Sequence, residues 1–177
     1  NGGKARFISN NIIHLMRGQV YTIEDKKIFT FGGGHSQDFD FRRDGTNWWE
    51  REQPTHEEIL EAIDNLAEHT NTVDYIITHE PPASLKDCLG VDVFQRLEIH
   101  AFFEDVIKAC YYKKWFFGKC HIDKHIPIKF FAVFDKVHQL KCAAMKNRIV
   151  SFVKSQSVLV ISFIAAVISM FFVPPNE

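Results

Sequence analysis

The chain predicts an α/β fold built on a mixed sheet, and three observations carry that expectation. Short apolar and aromatic runs at residues 73–78, 114–117 and 129–134 alternate with two stretches of helical spacing, the order that lays helices onto a parallel sheet. The runs are apolar at consecutive positions, as strands buried on both faces must be. The first 45 residues instead alternate short strands with turns, which adds an antiparallel part. With 177 residues, 46 % of them hydrophobic, the chain can bury one core of ordinary size.

Taken in order, residues 11–15, 19–23 and 27–31 read as strands, and Glu24-Asp25-Lys26 makes a polar reversal that pairs the second and third as a hairpin. Gly32-Gly33-Gly34 follows directly and permits close backbone approach at a sheet edge. A phosphate cradle would need a Gly-Lys-Ser/Thr and a helix start behind it, and neither follows. Residues 35–53 are polar and charged, an ordered loop expected to be pinned by Trp48-Trp49. Thr55 can cap a helix, and Glu58 completes a capping box. Ile59, Leu60, Ile63, Leu66 and Ala67 then carry that helix to about His69. After the strand at 73–78, Pro81-Pro82 halts regular structure. A second helix is expected over about 92–110, with Val93, Leu97, Phe102, Val106 and Ile107 along one side.

The bulk properties exclude several classes. A formal charge of −1, from 21 basic and 22 acidic residues, gives no field that would draw the whole chain to nucleic acid. Cys88, Cys110, Cys120 and Cys142 form no CxxC pair, which removes a zinc knuckle and a secreted disulfide framework. No signal peptide opens the sequence, and a cytoplasmic setting is expected for residues 1–140.

Beyond Leu140 the composition changes, so residues 1–140 read as the α/β domain and 141–177 as a basic linker with a hydrophobic helix. Lys141, Lys146, Arg148 and Lys154 precede 22 uncharged residues, 155–176. At about 1.5 Å per residue these reach roughly 33 Å, against a hydrocarbon core of about 30 Å. The basic flank favours a span with its N-terminal side in the cytoplasm and membrane contact through residues 155–173. A buried hydrophobic helix is the other reading.

The chemistry points to two histidines. Asp74-Tyr-Ile-Ile-Thr-His79 and Lys114-Trp-Phe-Phe-Gly-Lys-Cys-His121 each run an apolar strand into a histidine. Open α/β sheets place ligands at the carboxyl ends of their strands, and imidazole is the commonest side-chain metal ligand. Either histidine alone also reads as a surface or satisfied core residue; it is the repeat at two strand ends that favours a site.

Asp74-Tyr-Ile-Ile-Thr-His-Glu-Pro-Pro82, Trp115-Phe-Phe-Gly-Lys-Cys-His121, and Ile28-Phe-Thr-Phe-Gly-Gly-Gly-His-Ser-Gln-Asp38 with Trp48-Trp49 and Glu52-Gln-Pro54 resemble the C-terminal half of a calcineurin-like metallophosphoesterase. The resemblance covers about residues 10–140. It implies part of an α-β-β-α sandwich and hydrolysis of a phosphate mono- or diester at two divalent ions, Mn, Fe or Zn, with His79 on one and His121 on the other. The substrate it implies is a phosphorylated small molecule or a phosphoprotein. His35 and Arg42, after the glycine loop, are candidates to meet the substrate phosphate or plain loop residues. The family's Asp-x-His, Gly-Asp and Gly-Asn-His blocks are not found in this sequence. The catalytic residues are therefore expected upstream of Asn1, and the chain reads as an inactive, N-terminally truncated fragment.

Lys119 stands where the family's Gly-His-x-His has its first histidine. A protonated lysine has no lone pair, and at 4 Å and an effective dielectric of 20 it would repel a dication by roughly 8 kcal/mol. It deprotonates, points away, or weakens the second metal. Cys120 is expected as a buried thiol on the side opposite His121, and His125 as a surface residue. From Met145 onward, Met-Lys-Asn-Arg-Ile-Val-Ser-Phe and Ser169-Met-Phe-Phe-Val-Pro-Pro175 resemble the start of a citrate- or sulfate-type anion permease. That resemblance implies a phosphoesterase tail running into a neighbouring reading frame. A true tail anchor on a non-catalytic, membrane-tethered α/β binding module is the alternative.

Overall fold

The computed structural model describes residues 2–10, 12–34, 43, 45–46, 49–90 and 97–140, together with the backbone of 159–160 and 171–172. The elements are β1 (Ala5–Ser9), β2 (Ile12–Leu15), β3 (Gln19–Ile23), β4 (Lys26–Phe31), α1 (His56–Glu68), β5 (Tyr75–Thr78), α2 (Lys86–Leu89), α3 (Glu98–Ala109), β6 (Lys114–Phe117), β7 (Lys124–Ile126), β8 (Phe130–Ala132), β9 (Leu159–Val160) and β10 (Phe171–Phe172).

Six strands form a mixed sheet in the order β3-β4-β5-β6-β8-β7. The four central strands run parallel and the two outer ones antiparallel. The expected β3–β4 hairpin forms, with Ile23 opposite Lys26. Its two turn residues, Glu24 and Asp25, sit at φ +48° and +59°, the left-handed pair that matches the twist of a two-residue hairpin. Thr55 caps α1 as expected: its hydroxyl accepts from the Glu58 N–H at 3.3 Å, while the Glu58 carboxylate accepts from the Thr55 N–H at 3.0 Å.

Strand alternation sorts the aromatic runs onto two faces. Phe29, Phe31, Ile76, Trp115 and Phe117 pack under α1 and α3, against Ile59, Ala62, Leu66, Phe102, Phe103 and Val106. Tyr21, Ile28, Tyr75, Ile77 and Phe116 point the other way and pack with Leu15 of β2 and Val133. Both faces are buried, which is why these strands read as continuous apolar runs. The one polar hydrogen of the Trp115 ring is satisfied in the core by Thr78 Oγ1 at 2.9 Å.

Several expectations shift. β1 was not anticipated; all five of its residues are exposed, so no apolar alternation marks it. β7 is three residues long and pairs on the sheet's edge with β8. The second helix starts at Glu98; residues 92–96 of the expected 92–110 lie outside the described residues. Trp49 is 44 % exposed, and Trp48 with most of residues 35–48 lies outside the described residues. At the described ends of that loop, the Gly34 N–H donates to the Glu52 carbonyl at 2.9 Å and Arg17 Nη2 to the Arg51 carbonyl at 2.5 Å.

Most of the hydrophobic stretch 155–173 also lies outside the described residues. Its four described residues are extended: β9 pairs with β10, and β10 with β2. Among the described residues no helix is long and apolar enough to cross a membrane.

Candidate functional site at the carboxyl edge of the sheet

Because β4, β5, β6 and β8 are parallel, the loops that leave them gather at one edge, the edge at which such sheets place ligands. The loop after β4 is Gly32-Gly33-Gly34. Gly33 has φ +92°, and a Cβ there would lie 2.4 Å from the Glu52 carbonyl oxygen. At Gly34 a Cβ would lie 2.4 Å from Glu80 Oε1. Glycine is required at the second position by the side chain that occupies its space.

The loop after β5 is stitched to both neighbours. The His79 N–H donates to the Phe31 carbonyl at 3.3 Å, and the His79 carbonyl accepts from the Gly118 N–H at 3.1 Å. The Thr78 hydroxyl donates to the Glu80 carbonyl at 2.8 Å. Glu80, Pro81 and Pro82 are fully buried. This geometry fixes His79 at the strand end and turns the Glu80 carboxylate inward.

The loop after β6 is a tight left-handed turn. Lys119 sits at φ +62° and His121 at +49°, and the Cys120 N–H folds back onto the Gly118 carbonyl at 2.6 Å. The backbone is not extended, so the alternation expected to separate Cys120 from His121 does not apply. Lys119 points inward and ends with Nζ 2.8 Å from Glu80 Oε1. His100 of α3 closes the cluster, its Nε2 3.6 Å from Glu80 Oε2. The Leu97 N–H donates to His100 Nδ1 at 3.3 Å, which leaves the proton on Nε2, facing Glu80.

The electrostatics follow from burial and neighbours. Burial pushes the Glu80 carboxyl up, but His100 and Lys119 outweigh it and hold Glu80 down at about 2, an anion. Burial lowers His79 to about 4; nearby Glu80 opposes that shift, whereas Lys119 and His121 add to it. At neutral pH the His79 ring is therefore neutral and keeps a lone pair. Its Nδ1 is buried without a hydrogen-bond partner. Burial pushes the Cys120 thiol up to about 11, so in the metal-free chain it stays protonated at neutral pH.

Of the residues singled out from sequence, His79 and Lys119 come together, joined by Glu80. His121 is exposed and stacks its ring on Phe134 at 5.2 Å. His35 and Arg42 lie outside the described residues. His125 is exposed as expected and stacks on Phe131 at 4.4 Å. Three participants were missed: Glu80, His100 and Gly34. Local sequence carries no signal for Glu80, because the partner that accounts for its burial is Lys119 on the next strand's loop.

Among the described residues no group of three or more His, Cys, Asp or Glu side chains is placed to hold a metal ion. Tested singly, the unpartnered Nδ1 of His79 fits a metal ligand, whereas the ion-paired Lys119 does not. The chain matches no family model, no curated protein and no solved structure.

Proposed function

We propose that the chain is a metallophosphoesterase-type domain of the calcineurin-like kind, whose carboxyl edge holds a divalent ion through His79 and takes a phosphorylated small molecule or phosphoprotein. One observation carries the reading: a half-buried, neutral imidazole whose Nδ1 is enclosed and unpartnered, fixed at the end of a central parallel strand. Nitrogen of that kind suits Zn or Fe; Mn is the third ion that the resemblance implies. The helices on one sheet face and β2 on the other are consistent with part of an α-β-β-α sandwich.

When bound, the ion would neutralise phosphate oxygens and lower the pKa of a bound water. The chain's own residues do the rest: His79 presents its lone pair from a rigid strand end, and Glu80 keeps the Lys119 ammonium turned into the site. His121, on the rim, is the second ligand of the proposal and must leave Phe134 to serve. The Lys119–Glu80 pair favours weak or no catalysis, and with it the second reading, a non-catalytic binding module; tethering through residues 155–173 belongs to that reading.

The test is Mn²⁺ binding by the full chain. We expect His79→Ala to lower the affinity at least tenfold, and hydrolysis of p-nitrophenyl phosphate to stay at the added-Mn²⁺ blank. Unchanged Mn²⁺ affinity in His79→Ala would overturn the assignment of His79. Robust turnover abolished by His121→Ala would overturn the expectation of inactivity.

A further inference from the structure

The expected two-ion site and the charges at the carboxyl edge disagree. Lys119 stands where a second metal ligand is implied, yet its ammonium is 2.8 Å from Glu80 Oε1, with the two side chains 13 % and 1 % exposed. Three loops and a helix converge on this pair. Gly34 leaves the space that Glu80 fills, Thr78 holds the Glu80 carbonyl at 2.8 Å, and His100 approaches the other carboxylate oxygen at 3.6 Å. The turn that delivers Lys119 uses two non-glycine residues in left-handed backbone, a conformation that costs energy and persists only where the surroundings enforce it. A dication sharing Glu80 would have to displace the ammonium or sit beside a like charge.

We propose that the Lys119–Glu80 side of this edge takes no divalent ion: Lys119 fills it with a fixed ammonium and Glu80 is its counter-ion. Any ion held through His79 rests on the proposed function; the ammonium–carboxylate pair does not. An ammonium cannot dissociate from the chain, so this charge is independent of metal supply. It also brings one unit of charge where a metal ion would bring two, and no activated water.

The experiment is a double-mutant cycle on thermal melting of the full chain, in EDTA and in millimolar Mn²⁺. In EDTA, Lys119→Met strands a buried carboxylate and is expected to lower Tm by about 10 °C. Adding Glu80→Gln to it should restore most of that loss. Mn²⁺ should partly rescue Lys119→Met, whose carboxylate then lacks its counter-ion, and should not rescue the double variant further than it shifts wild type. If Lys119→Met yields no folded protein, the double variant decides: a cooperative melt near wild type supports the pair, and no melt overturns it. A Lys119→Met variant that melts like wild type overturns the proposal. It is equally overturned if Mn²⁺ raises the wild-type Tm and Glu80→Gln alone abolishes that shift, because Glu80 would then hold metal with Lys119 present. Loss of the His79 assignment leaves the EDTA cycle untouched, so the two failures are distinguishable.

Discussion

The two ends of β5 carry the same device in two environments. At its amino end Asp74 meets Lys113 Nζ at 2.5 Å, with side chains 18 % and 54 % exposed; at its carboxyl end Glu80 meets Lys119 Nζ at 2.8 Å, both nearly buried. Each pair bridges the chain around β5 to the chain around β6. Water screens the first, and such pairs contribute little. The second cannot be solvated if broken, so removing one partner is far costlier than the pair's net worth. Structure-building chemistry at the amino end needs only modest charge, whereas the carboxyl end holds charge that the fold must enclose on every side. The neighbouring imidazole, left neutral by the same burial, is what makes that end the candidate site.

Breaking the comparison should give graded effects. Glu80→Ala, which strands the Lys119 ammonium in a buried pocket, is expected to cost about 3–5 kcal/mol in urea denaturation. Gly34→Ala should cost about 1–3 kcal/mol, because the added methyl must displace the Glu80 carboxylate in a packed site. Thr78→Val keeps the shape but deprives the Trp115 Nε1–H of its acceptor, and about 1–3 kcal/mol should be lost. Lys113→Met at the opposite end should move the melting temperature by no more than a degree or two. A loss there as large as that of Glu80→Ala would erase the distinction between the ends.

The smallest effect is one of pH. Burial pushes the Asp74 carboxyl up, but the Lys113 ammonium and the Lys27 N–H outweigh it and leave it below its usual range. A depressed carboxyl stabilises the fold above its unfolded pKa and loses that contribution as pH falls through the folded value. The stability of wild type should therefore decline further than that of Asp74→Asn as pH drops below about 4. Parallel curves would mean that Asp74 is not held in this way.

Much of the sheet was legible because burial on both faces forces an unmistakable pattern: β4, β5 and β6 are runs of apolar residues, and Thr55-x-x-Glu58 announces α1. β1 was not legible, since an exposed edge strand held by backbone pairing leaves no apolar signature. At the site, sequence gave the position of His79 but not the fate of His121. Both follow apolar strands, yet His79 comes directly after Thr78, where pairing to Phe31 and Gly118 still governs the backbone. His121 lies beyond a left-handed turn that spacing does not encode. Glu80 escaped notice because a carboxylate beside two prolines reads as loop chemistry until the lysine that faces it, 39 positions later, is brought across by the pairing of β5 with β6.

The most direct measurement is the response of the histidine ring resonances to substoichiometric Mn²⁺ in the full chain, with each resonance assigned by single His→Gln variants. The account expects paramagnetic broadening of His79 first, with the exposed surface ring of His125 unaffected at that level. Broadening that begins elsewhere and leaves His79 sharp would contradict it.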